Sequence, residues 1–289
     1  MNTLIGTGVA LITPFKPNQS IDHQALAAIV EFNISNGVDY LVICGTTGES
    51  VTITPTEKKE IAQTVINTSR GRVPLVIGIG GNNTVAVVDE LQSTDLSPFA
   101  AILSVAPYYS KPTQEGFYLH FKAVAEASTI PVILYNVPGR TAKNVEASTV
   151  LRLANDFKSI VAVKEAGNNM EQYLELIKHK PADFLVISGD DDLVLGVTLA
   201  GGSGVISVIG QAFPKEFSQM IQWGLEGNLE DSRKMEARLM PIINLIFEEN
   251  KILTELTRNL EPQELIKEMY QIDYYYLGII INFIYIYMI

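Results

Sequence analysis

Residues 158–167 read KSIVAVKEAG, and this stretch decides the fold class. Its centre, residues 160–163 (IVAV), is a continuous apolar run rather than an alternation of apolar and polar side chains. Such runs are typical of strands that are covered on both faces, as in parallel sheets. The run leads directly into Lys164 and Glu165. Because an unpaired buried charge is costly, the lysine either reaches water or has a chemical use.

Similar apolar runs recur along the chain, near residues 7–13, 38–43, 74–79, 100–106, 131–136, 184–188 and 204–208. Helical spacing of apolar residues is found between them, at 21–36, 55–69, 114–128, 145–156, 169–180 and 214–226. This alternation predicts an α/β fold, a (β/α)8 TIM barrel, for which about 250 residues is typical. A doubly wound open sheet is the alternative, but no GxGxxG fingerprint follows the first strand.

The C-terminal part of the chain differs in pattern. We expect residues 1–227 to form the barrel and residues 228–289 to form a C-terminal helical region with an atypical tail from about residue 251. The last 16 residues, 274–289, are rich in Ile and Tyr. They are fewer than the about 20 residues that a membrane span needs, and they resemble an aggregation-prone strand. We expect a shifted reading frame or a divergent end; a tail-anchored membrane protein is the alternative.

Composition excludes some classes of function. The formal net charge of −11 argues against a nucleic-acid partner, which would require a clustered basic surface. Cys44 is the only cysteine, so an intrachain disulfide is impossible and a reducing, cytoplasmic location fits. The N-terminus has no cationic region before its apolar run and does not read as a signal peptide. We expect small-molecule substrates and no membrane.

Unusual residues cluster at the predicted strand ends. In TIM barrels, chemistry takes place at the carboxyl ends of the strands, here called the barrel mouth. The candidates there are Thr46, Thr47, Tyr108, Tyr109, Tyr135, Arg140, Lys164, Gly189, Asp190 and Ile206. None is specific alone, but their shared placement predicts one site.

Each candidate also has a purely structural explanation. Lys164 could extend to the rim and pair with Glu165. Thr46 and Thr47 could form a turn with the glycines beside them, and the tyrosines could pack with their hydroxyls at the water edge.

Metal binding is the other chemistry that the sequence suggests. Residues 190–192 (DDD) resemble a metal cluster, but a helix N-cap is the favoured interpretation. His23, His120 and His179 fall on predicted helices or at their starts and show no ligand spacing. Cys44 is expected to be a small buried apolar side chain. We expect no catalytic metal and no cofactor.

Lys164 suits the role of a Schiff-base nucleophile. Only a neutral amine attacks a carbonyl, and desolvation in an apolar strand disfavours the ammonium form. The resulting carbinolamine loses water through a proton shuttle, which tyrosine and threonine hydroxyls can supply without adding charge. Backbone N–H groups of the Gly-Thr-Thr-Gly turn could hold one substrate carboxylate, and Arg140 suits a second. The residues describe an amine-catalysed carbon–carbon lyase or synthase acting on a keto acid.

From about Gly6 to Glu249 the chain resembles the 4-hydroxy-tetrahydrodipicolinate synthase (dihydrodipicolinate synthase) family of pyruvate-dependent class I aldolases. The motifs that carry the resemblance are GTTGES at 45–50, PYY at 107–109, YNVPGRT at 135–141, VKEA at 163–166, SGDD at 188–191 and GVISV at 204–208. It implies a TIM-barrel enzyme of diaminopimelate and lysine biosynthesis. Such an enzyme condenses pyruvate with aspartate-4-semialdehyde and is usually a homotetramer, built as a dimer of dimers.

The resemblance also implies catalytic roles. Lys164 would form the Schiff base with pyruvate, and Tyr135 would be the general acid/base beside it. Thr46, Tyr135 and Tyr109 resemble the proton relay of the family, with Tyr109 reaching in from a neighbouring subunit.

Substrate-binding roles follow from the same resemblance. The backbone of Thr47 would hold the pyruvate carboxylate, and Gly189 and Ile206 would line that pocket. Arg140 matches the residue that receives the carboxylate of aspartate-4-semialdehyde.

The same motifs leave three alternative functions open, and the chain departs from the family pattern at one regulatory site. An N-acetylneuraminate lyase or another 2-keto-acid aldolase would share the lysine and the tyrosine, but Arg140 and the second threonine favour the synthase. An inactive barrel that serves as a binding protein is the third alternative. At the positions of the family's lysine-inhibition site, Pro55, Lys58 and Ala86 depart from the pattern, so we expect weak or absent feedback by lysine.

Overall fold

The computed structural model describes residues 2–247. The expectations about a tail from about residue 251 concern residues outside this range.

Eight parallel strands close into a barrel in sequence order, with β8 paired to β1. The strands are β1 Gly6–Ala10, β2 Tyr40–Ile43, β3 Leu75–Gly78, β4 Ala101–Val105, β5 Val132–Asn136, β6 Ile160–Glu165, β7 Leu185–Ser188 and β8 Gly204–Ser207. Each coincides with a predicted apolar run, so the TIM barrel is confirmed and the open sheet is excluded.

Helices lie between the strands and follow the last one. They are α1 His23–Ser35, α2 Pro55–Ser69, α3 Thr84–Ser93, α4 Gln114–Ala127, α5 Pro138–Thr141, α6 Ala147–Asp156, α7 Met170–His179, α8 Val194–Leu199, α9 Pro214–Leu225 and α10 Leu229–Phe247. Two short 3-10 helices, Asn2–Leu4 and Ile209–Gln211, complete the described elements. The predicted helices are confirmed, whereas α3, α5 and α8 were not foreseen.

The start of α2, which follows the GTTGES turn at Pro55, is fixed by a capping box. Thr54 accepts a hydrogen bond from the backbone N–H of Glu57 at 3.2 Å, and the Glu57 carboxylate accepts from the backbone N–H of Thr54 at 2.7 Å. Pro55 occupies the first turn, where its missing N–H costs nothing. This reciprocal capping fixes the start of the helix that carries Lys58.

The core has two layers. One fills the barrel and includes Leu4 of the first 3-10 helix, Tyr40 and Ile206; the other lies between the sheet and the helices. The Tyr40 hydroxyl donates to the carbonyl of Val205 at 3.1 Å. A Cβ at Gly8 would lie 2.2 Å from the Tyr40 ring, so β1 needs glycine there.

An irregularity in the pairing of β5 with β6 decides which side chains face inward. Val132 pairs with Ile160, but the next residue, Ile133, pairs with Ala162. Above this shift, Tyr135 pairs with Lys164 and Asn136 with Glu165. Because side chains alternate between faces, the first pair faces the barrel interior and the second faces the helices.

The helical region after the barrel begins with α10. Its Leu239, Ile242 and Ile243 are buried, and the helix packs mainly against α9. The helix bears out the predicted change of pattern after Gly227, while the domain bounds 1–227 and 228–289 remain a prediction. Within residues 2–247, no helix combines the length and apolar composition needed to cross a membrane.

Candidate active site

Lys164 lies near the carboxyl end of β6 and faces the barrel interior. Only 6% of its surface is exposed, and its Nζ atom lies 4.6 Å from the centroid of the Tyr135 ring. The alternative in which Lys164 pairs with Glu165 is wrong, because the two side chains leave the strand on opposite faces. The Glu165 carboxylate instead accepts hydrogen bonds from Asn136 and Gln172.

Gly189 borders the lysine, and Ile206 lies in the interior cluster that contains Tyr135. A Cβ at Gly189 would lie 2.8 Å from Cε of Lys164, so the lysine stem occupies the space that a side chain would fill. Ile206 is fully buried in the same interior cluster as Tyr135. The structure therefore brings four of the predicted residues together: Lys164, Tyr135, Gly189 and Ile206.

The Gly-Thr-Thr-Gly turn borders the barrel mouth. Thr46, Tyr108 and Tyr135 line a cavity of about 890 Å³ that extends between α2 and α3. The turn is closed by a hydrogen bond from the Gly48 N–H to the carbonyl of Gly45 at 3.2 Å. Within the described chain, no hydrogen bond joins the hydroxyls of Thr46 and Tyr135, so a relay between them needs a further group.

Three predicted residues are more exposed than the lysine. Tyr109 is 89% exposed, with a φ of 68°, and it is the neighbouring Tyr108 that lines the cavity. Arg140 is exposed on the four-residue helix α5, directly after β5. Thr47 is half-buried in the turn. A single chain thus leaves Tyr109 and Arg140 at the rim.

The prediction that the aspartates cap a helix is wrong. Helix α8 begins after Leu193 and has no side-chain cap. Asp191 is 2% exposed and accepts from the backbone N–H groups of Val208 and Ile209, at 3.0 Å each. It therefore binds the start of the 3-10 helix on the neighbouring β8 loop, and burial raises its pKa to about 6. Among the described residues, no group of three or more His, Cys, Asp or Glu side chains is placed to share a metal ion.

Sequence reasoning missed a buried polar network behind the lysine. Glu165 is fully buried, and burial raises its pKa to about 7 although Asn136 and Gln172 donate to it. Asn144 joins the network through both of those amides. The available signal was position: Asn136 and Glu165 directly follow Tyr135 and Lys164, so they occupy the opposite face of the same two strands.

Tyr173 of α7 fixes the end of β6 from the other side. Its hydroxyl hydrogen-bonds the backbone carbonyl of Glu165 and lies 3.0 Å from the Asp190 carboxylate and 3.1 Å from the Ser188 hydroxyl. Burial raises the pKa of Tyr173 well above its ordinary value and also raises that of Asp190. The phenol therefore stays neutral and acts as a hydrogen-bonding group of the scaffold.

The cysteine and the histidines behave as expected. Cys44 is 2% exposed, and burial raises its pKa to about 11, so it is a small buried side chain. His23 opens α1 and His179 ends α7. His120 lies within α4, where burial lowers its pKa to about 4.

A buried lysine beside a buried tyrosine, at the mouth of a closed (β/α)8 barrel, defines a class: TIM-barrel enzymes with a candidate Schiff-base lysine. The chain belongs to the dihydrodipicolinate synthetase family, whose model matches residues 3–270. The match includes residues 251–270 of the segment that we expected to depart from the family.

Individual proteins agree with the family model. The chain is 57% identical over 249 residues to the 4-hydroxy-tetrahydrodipicolinate synthase of Flavobacterium psychrophilum, covering 86% of this chain and 85% of that one. The dihydrodipicolinate synthase structure from Aquifex aeolicus has a TM-score of 0.82 and 37% identity, covering 88% of this chain and 87% of that one. The dihydrodipicolinate synthase structure from Cyanidioschyzon merolae, solved with lysine bound, has a TM-score of 0.82 and 33% identity, covering 89% of this chain and 88% of that one.

Proposed function

We propose that the chain is a lyase that condenses pyruvate with L-aspartate-4-semialdehyde, the 4-hydroxy-tetrahydrodipicolinate synthase reaction of diaminopimelate and lysine biosynthesis. The barrel of residues 1–227 is the catalytic domain in this proposal. The single observation that carries it is the placement of Lys164, buried at the barrel mouth with its amine over the Tyr135 ring. The names of the relatives support the choice of reaction.

The amine of Lys164 attacks C2 of pyruvate in the first step. The carbinolamine then loses water, and the Tyr135 hydroxyl transfers the proton that this step needs. Loss of a proton from C3 gives an enamine, whose carbon attacks the aldehyde. The amino group of the aldehyde substrate then attacks the C2 imine and displaces the amine of Lys164, which closes the ring and frees the enzyme. Thr46 and Tyr109 connect Tyr135 to solvent, so the relay requires Tyr109 from a second copy of the chain.

The two carboxylates bind at separate places in this proposal. Backbone N–H groups at Thr47 hold the pyruvate carboxylate, with Gly189 and Ile206 as the wall of the pocket. The Arg140 guanidinium receives the carboxylate of the aldehyde at the rim, where its exposure leaves it accessible.

Assembly and location follow from the same proposal. Tyr109 is 89% exposed in one chain, which suits a side chain that inserts into a neighbouring subunit. A partner chain would supply each active site with its third relay hydroxyl, and we infer that two such dimers form the homotetramer that the family resemblance implies. We also infer a cytoplasmic location, which the single cysteine favours.

Borohydride trapping tests the proposed function. The protein is incubated with pyruvate, reduced and analysed by mass spectrometry, and one reduced pyruvate on Lys164 is expected. Pyruvate consumption should then depend on aspartate-4-semialdehyde. Consumption that depends on N-acetylmannosamine and ignores aspartate-4-semialdehyde would overturn the proposal in favour of a lyase, and a folded chain without adduct would indicate an inactive barrel.

Arg140→Ala is expected to weaken binding of the aldehyde and leave pyruvate trapping intact. A hydrogen bond to a charged group contributes about 1.5–3 kcal/mol, so KM for aspartate-4-semialdehyde should rise roughly 10- to 150-fold. Arg152→Ala is the control, since Arg152 is an exposed arginine on α6 that pairs with Glu115. An unchanged aldehyde KM in Arg140→Ala would remove Arg140 from the substrate site.

Feedback inhibition by L-lysine is expected to be weak, with an inhibition constant above about 1 mM. Lys58 forms an ion pair with Glu90 at the edge of the large cavity, so a lysine ligand there would meet a like charge and a carboxylate already paired. Initial rates at rising lysine concentration measure the effect, with Lys58→His as the comparison variant. Inhibition at micromolar lysine would contradict the expectation.

A further inference from the structure

Glu165 is a fully buried carboxyl whose partners are amides. Asn136 donates to its two oxygens at 3.0 and 2.9 Å, and Gln172 donates at 2.7 Å. The backbone of Gly167 supplies a further hydrogen bond. Within the described part of the chain, Glu165 forms no ion pair. Because a buried carboxyl without a cation is costly, the donors around it mark a built arrangement rather than a chance burial.

The network extends from Glu165 to the segment that follows β5. The second N–H of the Asn136 amide donates to Asn144 Oδ1 at 2.7 Å, and Asn144 donates to Gln172 Oε1 at 2.8 Å. The backbone N–H of Val145 donates to Asn136 Oδ1 at 3.0 Å. Both ends of the segment 137–143, which carries Arg140, are therefore tied to one buried carboxyl.

The segment also has anchors of its own, because Val137 and Thr141 are buried and the Thr141 hydroxyl donates to the carbonyl of Lys143 at 2.9 Å. Helix α5 spans four residues, and its N-cap Val137 forms no side-chain hydrogen bond. Pro138, the first residue of α5, lies next to Gly167. A Cβ added at Gly167 would be 2.6 Å from Glu165 Oε1 and 3.4 Å from Pro138 Cγ. A short helix is not stable by itself, so its place depends on these flanking contacts.

We propose that Glu165 is a positioning residue that holds the segment 137–143, and with it Arg140, where the carboxylate of the second substrate binds. The inference rests on the proposed function, because that function assigns the role of Arg140. It adds a specificity element that lies on the opposite face of the sheet from the lysine.

The lysine is held separately, which makes the effect selective. The backbone carbonyl of Glu165 accepts from the Gly189 N–H at 2.6 Å and from the Tyr173 hydroxyl. These bonds involve the main chain and remain when the carboxyl is changed. Lys164, one residue earlier on β6, therefore keeps its position, while the Asn136 and Gln172 amides that hold the Arg140 segment lose the carboxylate that both donate to.

Glu165→Gln tests the positioning role most directly. It preserves size, yet the groups that surround the carboxyl are all donors, so the new NH2 group faces another donor and one hydrogen bond is lost. We expect KM for aspartate-4-semialdehyde to rise at least about tenfold, which corresponds to about 1.4 kcal/mol. KM for pyruvate and borohydride trapping on Lys164 should stay within about threefold of the wild type, a difference of under about 1 kcal/mol.

Asp39→Asn is the matched control. Its carboxylate also accepts a backbone N–H, from Thr7 at 2.7 Å, but it lies just before β2, at the end of the barrel opposite the mouth. We expect it to leave both KM values unchanged. Hydrogen exchange at the Val145 amide supplies a readout that is independent of activity, and it should accelerate in Glu165→Gln alone.

The outcomes separate this inference from the function on which it rests. A wild-type protein that traps no pyruvate would overturn both the proposed function and the positioning role of Glu165. A wild type that traps pyruvate, with Glu165→Gln unchanged in aldehyde KM or raised equally in both KM values, overturns only the positioning role. If Glu165→Gln fails to fold, Asn144→Ala decides, since it removes the bonds from the Asn144 side chain to Asn136 and Gln172 and leaves both amides on the carboxyl. A selective rise in aldehyde KM is again expected, and a smaller one, because the Val145 N–H still donates to Asn136.

Discussion

Lys164→Met is expected to abolish the borohydride-trapped pyruvate adduct and to lower kcat by at least about 10³-fold, because no other group in the site can form the Schiff base. Methionine retains the length of the stem in the space beside Gly189 and removes a buried polar nitrogen. The variant should therefore fold with a Tm equal to or above that of the wild type. Turnover in the coupled assay and mass spectrometry after reduction measure the loss.

The matched control for this lysine is Lys178→Met. Lys178 is exposed in the last turn of α7, away from the barrel mouth, and its replacement should leave trapping and kcat unchanged. If Lys164→Met still accumulates a reduced pyruvate on another lysine at the wild-type rate, the nucleophile has been assigned to the wrong residue.

Tyr135→Phe should reduce kcat by about 10²- to 10⁴-fold, the range typical of a lost general acid/base. The ring that lies 4.6 Å from the Lys164 amine is retained, so packing and the cation–π contact are preserved. Only the proton transfer is removed. Pyruvate trapping should slow in parallel, because dehydration of the carbinolamine needs the same hydroxyl.

Tyr40→Phe, in contrast to Tyr135→Phe, is expected to lower stability and leave catalysis unchanged. Tyr40 is buried in the same interior cluster, and its hydroxyl donates to the Val205 carbonyl. Its loss should lower the free energy of unfolding by about 1 kcal/mol and leave kcat unchanged. Urea unfolding and steady-state kinetics on both variants separate the two roles; equal kcat values for Tyr135→Phe and the wild type would exclude a catalytic hydroxyl at Tyr135.

The strands were predictable because each is a continuous apolar run, and this signal needs no tertiary information. Helix α3 was missed because Val85, Val87 and Val88 give it a β-branched composition that favours strands when read locally. Its helical state depends on packing against the barrel, where Val87 and Leu91 are buried. Helix α5 is too short to show any periodicity.

The approach of Lys164 to Tyr135 was also predictable, since a lysine and a tyrosine at neighbouring strand ends must come close to each other in a parallel barrel. The network behind them was not. Glu165, Asn136 and Gln172 are residue types that usually lie at the surface. Only the strand register and the packing of α7 show that they meet in the buried layer between the sheet and the helices. The aspartates were misassigned for a related reason: their donors belong to distant segments rather than to the helix that follows.

The shift in register between β5 and β6 gives strand length a role in the evolution of this enzyme. Were the pairing of Val132 with Ile160 continued without interruption, Tyr135 would stand opposite Val163, and Lys164 would share the outer face with Asn136. A single-codon insertion between Ala162 and Val163 would place Lys164 opposite Asn136, on the outer face, while leaving every side chain of the candidate site in the gene. Purifying selection here should act against insertions more strongly than against exchange of one apolar residue for another.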